Sequence, residues 1–157
     1  NISYDDPERD LEFIWESADS AALRGTIEEF PKQMETLVGE RGVTLSGGQK
    51  QRTTLARGLI RDSAVLILDD CFSSVDTETE EHILSRLKQL RDGKTTILVS
   101  HRVSTLRHTD RIVVLEEGRI AEQGTHRQLL DLDGIYAELE RLQTQGMSPS
   151  KPVAEPV

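Results

Sequence analysis

The sequence predicts an α/β fold, with a helical first part followed by a mostly parallel sheet and flanking helices. Three observations predict it. Residues 1–62 show helix and loop patterns and no strand pattern. An apolar run at 64–68 stops abruptly at two carboxylates, Asp69 and Asp70. After Asp62, strand-like and helix-like segments alternate, which implies parallel strands joined by right-handed crossovers.

The elements follow in chain order. Residues 11–23 are mostly helix formers, and Phe13, Ile14, Ala18, Ala21 and Ala22 supply an apolar face. A short helix is predicted over 26–30, ended by Pro31. Residues 40–45 lead into a helix over 46–61, where Leu55, Ala56, Leu59 and Ile60 recur at helical spacing. The run at 64–68 is short and aliphatic, the pattern of a strand buried on both faces. A helix is predicted over 78–91, then a strand over 95–99. Strands at 111–115 and 119–121 enclose Glu116-Glu117-Gly118 and read as an antiparallel hairpin. Short helices at 127–130 and 135–143 close the pattern. Residues 146–157 hold three prolines and little apolar content, which predicts a disordered tail. The expected organisation is a helical part at 1–62, a strand-rich part at 63–144 and a tail at 145–157.

At 157 residues the chain is long enough for one domain with a real core. Hydrophobic residues make up 36% and charged residues 30%, which suits a soluble globular protein. No apolar stretch approaches the roughly 20 residues of a membrane span. The chain starts without Met, so its N-terminus reads as the edge of a fragment and carries no targeting information. The net charge of −9 disfavours nucleic acid as a partner, because that binding neutralises phosphates with Lys and Arg. The single cysteine, Cys71, excludes an intrachain disulfide and suits a reducing compartment. It reads as a small hydrophobe in a buried turn rather than a reactive thiol.

Leu45-Ser46-Gly47-Gly48-Gln49-Lys50-Gln51-Arg52 opens a helix in an unusual way. Two glycines in a first turn weaken a helix, each by up to about 1 kcal/mol against alanine. They also leave backbone N–H groups bare, and a helix N-terminus with bare amides is a ready phosphate site. The same residues fit a capping box, Ser46-x-x-Gln49, which leaves Gly47 and Gly48 unexplained.

The two carboxylates after 64–68 give a second indication. Ligands of parallel sheets lie beyond the carboxyl ends of the strands. Asp69 there can hold a hydrated magnesium ion, a hard cation that prefers oxygen. Asp70 can orient or deprotonate a water. The alternative is an N-cap or solvated turn after a core strand.

Together these segments resemble the nucleotide-binding domain of ATP-binding cassette (ABC) proteins. Residues 45–52 match the signature motif and 64–70 the Walker B strand. Ser73-Ser74-Val75-Asp76 resembles the D-loop, and Ser100-His101-Arg102 the switch-histidine region. The resemblance runs from residue 1 to about 144 and implies a truncated P-loop NTPase-like fold. Its P-loop, adenine-stacking aromatic and Q-loop would precede Asn1. Gly93-Lys94-Thr95 does not replace the P-loop, since Lys88 stands five before Gly93 and a strand follows. The isolated chain is therefore expected to bind ATP weakly or not at all.

In this family two such domains sandwich ATP head to tail. The resemblance implies that Ser46, Gly47, Gly48 and Gln49 lie at the γ-phosphate held by a partner domain. It makes Asp69 the magnesium-side acid, Asp70 the catalytic acid, Asp76 a D-loop coupler and His101 the residue that bonds the γ-phosphate. Asp70 departs from the usual Glu and resembles the weak-site subunit of heterodimeric exporters. His82, His108 and His126 have no motif context and are expected at the surface.

The run Val38-Gly39-Glu40-Arg41-Gly42 is similar to multidrug, lipid and peptide exporters, as are Glu117-Gly118-Arg119-Ile120-Ala121-Glu122-Gln123-Gly124-Thr125-His126 and Gly134-Ile135-Tyr136. The implied function is that of an exporter's ATP-hydrolysing subunit, using ATP and Mg2+. The implied partners are a second nucleotide-binding domain, in a heterodimer in preference to a homodimer, and a transmembrane domain, at the cytoplasmic face of the membrane. The alternative is a non-hydrolysing regulatory half that completes a partner's ATP site in trans.

Overall fold

The computed structural model describes residues 1–39 and 42–145. Glu40, Arg41 and the expected tail at 146–157 lie outside the described residues. The chain forms two compact units, Asn1–Val99 and the chain from Ser100 onward.

The first unit begins with helix α1 (Leu11–Ser20), capped by Asp10, whose carboxylate accepts the Glu12 amide. The periodic pattern runs on to residue 23, but the helix stops earlier. Ala22 turns left-handed at φ 52, Ala22 N donates to Asp19 O, and Leu23 N donates to Ala18 O. That pair of bonds is a Schellman closure, which glycine normally provides. The next helix, α2 (Arg24–Glu28), therefore starts two residues before the predicted one. A single 3-10 turn at Gln33–Glu35 follows.

Helix α3 (Gly47–Leu59) runs from Ser46 to strand β1 (Val65–Asp69), then comes α4 (Thr77–Leu90) and strand β2 (Thr95–Val99). β1 and β2 pair in parallel, Val65 opposite Thr95 through Asp69 opposite Val99. The turn between α4 and β2 is held by Arg91, which is buried and donates to the carbonyls of Ser63, Ala64 and Thr95. Lys94 pairs with Asp62, which holds the Asp62 carboxyl below its ordinary range. The core joins Ala18, Leu23 and Ile27 to Leu55 and Ala56 of α3, Leu66 and Leu68 of β1, and Ile83, Leu84 and Leu87 of α4.

β1 is not buried on both faces as its composition suggests. Leu66 and Leu68 point inward, whereas Val65 and Ile67 are 50% and 65% exposed. On β2, Ile97 and Val99 are also exposed, so a continuous aliphatic sheet face is open in this chain.

The second unit holds α5 (Val103–Leu106), β3 (Ile112–Glu116), β4 (Arg119–Gly124), α6 (His126–Leu132) and α7 (Ile135–Thr144). β3 and β4 are the expected antiparallel hairpin, closed by Glu117 and Gly118 at φ 49 and 74. Two successive positive φ angles give the tight turn that matches strand twist. Its core is Val103, Ile112, Leu129 and Tyr136. His126 is not a plain surface residue. It is half-buried, and its Nδ1 lies 2.9 Å from the Tyr136 hydroxyl. The Glu122 carboxylate accepts the amides of Ile135 at 2.6 Å and Tyr136 at 3.1 Å, satisfying the start of α7. Gly134 makes this possible, since a Cβ there would lie 2.0 Å from Glu122 Oε1. The exporter-like residues at 122 and 134–136 thus form one structural lock.

Candidate functional site

The first turn of α3 combines both readings of its sequence. The capping box is formed: Ser46 Oγ accepts the Gln49 amide at 3.2 Å, and Gln49 Oε1 accepts the Ser46 amide at 2.9 Å. Gln49's side chain is therefore engaged by its own helix. The amides of Gly47 and Gly48 make no hydrogen bond among the described residues, and Gly47 is exposed. Two donors remain at the positive end of a 13-residue helix, the arrangement that attracts an anion.

The glycines differ in why they are needed. A Cβ on Gly48 would lie 2.7 Å from the carbonyl oxygen of Ser74, closer than any side chain tolerates. A Cβ on Gly47 would meet Ser74 Oγ at 3.4 Å, an ordinary contact. Gly48 admits the D-loop-like backbone, and only Gly47 has no packing demand of that kind.

The same loop is tied to α3 by Gln51, which the sequence pattern does not single out. Its Nε2 donates to Ser73 Oγ at 2.6 Å, and its Oε1 accepts the Ser74 amide at 2.9 Å. Ser73 Oγ in turn donates to the Asp70 carbonyl at 3.3 Å. The structure thereby brings Ser46, Gly47, Gly48 and Gln49 together with the loop that follows Asp69 and Asp70.

Asp69 ends β1 with its side chain exposed. Asp70 follows in the left-handed region at φ 44, its amide donating to Val99 O at 2.9 Å. Aspartate tolerates that conformation better than most residues. An exposed carboxylate at a strand's carboxyl end is a hard oxygen donor and suits hydrated magnesium. Among the described residues no three His, Cys, Asp or Glu side chains converge to hold a metal. Asp69 fits as one arm of such a site. Cys71 beside it packs partly against the core, and burial pushes its thiol up to about 12, so it is inert at neutral pH.

Asp76 has a demonstrable structural task. It is the N-cap of α4, accepting the Thr79 amide at 2.9 Å, and this bond holds its carboxyl below the ordinary range.

His101 belongs to the second unit. Its side chain is exposed in a bend before α5. Ser100 Oγ accepts the Arg102 amide at 3.0 Å, and the His101 carbonyl accepts from Gln143 Nε2 at 2.7 Å. No helix among the described residues is long and apolar enough to cross a membrane.

A family model described as ABC transporter matches residues 6–73. The chain is 49% identical over 126 residues to an ATP-dependent lipid A-core flippase of Paraburkholderia xenovorans, covering 80% of this chain and 21% of that protein. It is 47% identical to the protein of that name from Alkalilimnicola ehrlichii, covering 94% of this chain and 25% of the relative. The solved structure of a bacterial Atm1-family ABC exporter with ATP bound matches 90% of this chain and 25% of that one, with 42% identity and a TM-score of 0.84. The chain thus spans about a quarter of the length of the relatives it matches. The ABC transporter domain implies ATP binding. With the signature-like helix, the acid-ended strand and the overall likeness in agreement, the chain belongs to the ABC transporter family.

Proposed function

We propose that this chain supplies half of an ATP site in an exporter, in which binding and hydrolysis of Mg-ATP drive transport across a membrane. The observation that carries this is the pair of Gly47 and Gly48 amides, without a hydrogen bond among the described residues and set at a helix N-terminus beside the loop after Asp69-Asp70. Ser46 and these amides bind the terminal phosphate of ATP held by a second nucleotide-binding domain. Gln49 acts by keeping Ser46 in its cap. Asp69 would hold magnesium, which would supply neutralisation of the phosphate charge.

In the chain's own site Asp70 accepts a proton from the water that attacks the γ-phosphorus. The bond to the ADP oxygen breaks, and ADP and phosphate leave. His101, in the second unit, is a ligand for a γ-phosphate. Asp76 couples the sites by fixing the end of the D-loop on α4. The organisation proposed is a helical part at 1–62 and the C-terminal ATPase core at 63–144. It works with a transmembrane domain at the cytoplasmic face of the membrane. No helix among the described residues is long and apolar enough to cross a membrane, so the exported molecule is left unnamed.

A second reading rests on Asp70. Aspartate is one methylene shorter than the glutamate usual in the family, and a misplacement of about 1 Å can lower a rate by about a hundredfold. In that reading the chain is a non-hydrolysing half that completes a partner's site. A pairing of unlike halves rests on Asp70 alone; the lipid A-core flippases add no support for it.

The test uses the full-length protein in lipid vesicles. Gly47→Glu places a carboxylate at the phosphate site where space for a side chain exists, so the expected result is a loss of ATP turnover of about a hundredfold or more. Turnover at the parental rate would refute the site. Asp70→Asn abolishing turnover supports hydrolysis at this chain's own acid, and unchanged turnover supports the second reading.

A further inference from the structure

Helix α5 is four residues long, and its N-cap residue, Arg102, gives it no side-chain cap bond. Its first amide is nevertheless satisfied from a distance. Gln143, on α7 and 40 positions downstream, accepts the Val103 amide through Oε1 at 2.9 Å. The same side chain donates from Nε2 to the His101 carbonyl at 2.7 Å. One planar amide thus holds the backbone on both sides of Arg102, and both of its polar atoms are used.

The arm that carries Gln143 is itself anchored. Tyr136, Leu139 and Gln143 fall on one face of α7 at helical spacing. Tyr136 is buried at 1% exposure, and Leu139 packs on the same core as Val103. Glu122 fixes the first amides of the helix at its other end. A long side chain fixed at both ends of its amide gives up much rotamer freedom, and the bonds it makes are to the backbone of the His101 bend rather than to solvent.

We propose that Gln143 is a positioning residue for His101. By clamping the His101 carbonyl and the Val103 amide together, it sets the bend from which the imidazole projects and keeps it from swinging with a short, locally uncapped helix. This rests on the reading of His101 as the γ-phosphate ligand. Gln143 makes no contact with nucleotide and acts only through the histidine.

The experiment measures steady-state ATP turnover by the full-length protein in vesicles. Gln143→Leu removes both bonds at nearly constant volume. The expected result is a fall in kcat of about tenfold with KM for ATP changed by less than about twofold, because the nucleotide is still bound but His101 is misaligned. In the His101→Ala background, Gln143→Leu produces no further fall in the residual turnover. Gln143→Glu serves where the leucine variant folds poorly. It keeps an acceptor for Val103 but sets an oxygen against the His101 carbonyl, and it lowers kcat in the same way. Parental kcat in a folded Gln143 variant, or an equal fold-loss with and without His101, overturns the proposal. The first of these beside an inactive His101→Ala overturns it alone. Parental turnover in His101→Ala overturns the reading of His101 and this proposal with it.

Discussion

Gln51 Oε1 accepts the backbone amide of Ser74 at 2.9 Å, joining the second turn of α3 to the loop after β1 across 23 positions of sequence. The other end of the same amide reaches Ser73 Oγ, which bonds the Asp70 carbonyl. Gly48 leaves room for the Ser74 carbonyl to approach. The signature-like turn and the acidic loop are therefore tied together within the first unit. A displacement of either reaches the other through two side-chain bonds and a close backbone contact.

Gln51→Leu should loosen that piece. Each neutral hydrogen bond contributes about 1 kcal/mol, so losing both bonds should lower unfolding free energy by about 2 kcal/mol. Urea unfolding measures the total, and faster hydrogen exchange at the Ser74 amide locates it. Unchanged exchange at Ser74 would show that the bond does not hold the loop.

The two glycines should respond differently to alanine. Gly48→Ala drives a methyl to 2.7 Å from the Ser74 carbonyl oxygen and should destabilise by about 1–3 kcal/mol. Gly47→Ala meets only an ordinary contact and should change stability by less than about 1 kcal/mol. Equal effects in a denaturation comparison would remove the packing distinction.

In the second unit, Gly134→Ala should displace the Glu122 carboxylate from the Ile135 and Tyr136 amides, since a Cβ would lie 2.0 Å from Oε1. A cost of about 1–3 kcal/mol follows from the clash and the orphaned amides. Thermal unfolding of Gly134→Ala in the Glu122→Ala background provides the check. There the alanine should cost much less, because the carboxylate it meets is gone.

Cys71 should resist alkylation while the protein is folded. With its thiol pushed up from 9.0 to about 12, the reactive thiolate at pH 8 is about a thousandfold scarcer than in the unfolded chain. Iodoacetamide labelling with and without urea measures the ratio. Equal rates would mean that the turn opens readily.

Asp76 contributes to the acid limb of stability. Its carboxyl is held below the ordinary range by the Thr79 amide. The charged cap therefore stabilises above the unfolded pKa and is lost as pH falls through the depressed folded value. Asp76→Asn keeps an oxygen for the cap and removes the charge change. Its stability should vary less than the parent's as pH drops from about 5 to about 2. An identical acid profile for both proteins would assign the limb to other carboxylates.

Much of the fold was legible in local pattern. The 3.6-residue recurrence of Leu55, Ala56, Leu59 and Ile60 marked α3, and the aliphatic run ending at Asp69 marked β1. Glu116-Glu117-Gly118 marked the hairpin. The bounds of α3 and β1 fall within two residues of the predicted ones, whereas β4 runs to Gly124, three residues past its predicted end. The stop at Ala22 was not legible, because alanine seldom takes positive φ and a Schellman closure there depends on what packs around it. Nor was α5, whose four residues lack a cap of their own.

The sequence by itself determined the order of elements, the two carboxylates after β1 and the glycine-opened helix, since each is written in neighbouring residues through propensity and periodicity. Only the tertiary structure decided that Gly48 yields to Ser74, that Gln51 ties the acidic loop to α3, and that Gln143 holds the His101 bend. Those are bonds and close approaches between residues 22 to 42 positions apart. A glutamine that reaches across such a gap has the same local signature as one that faces water, so its partner becomes visible only when packing brings the two backbones together.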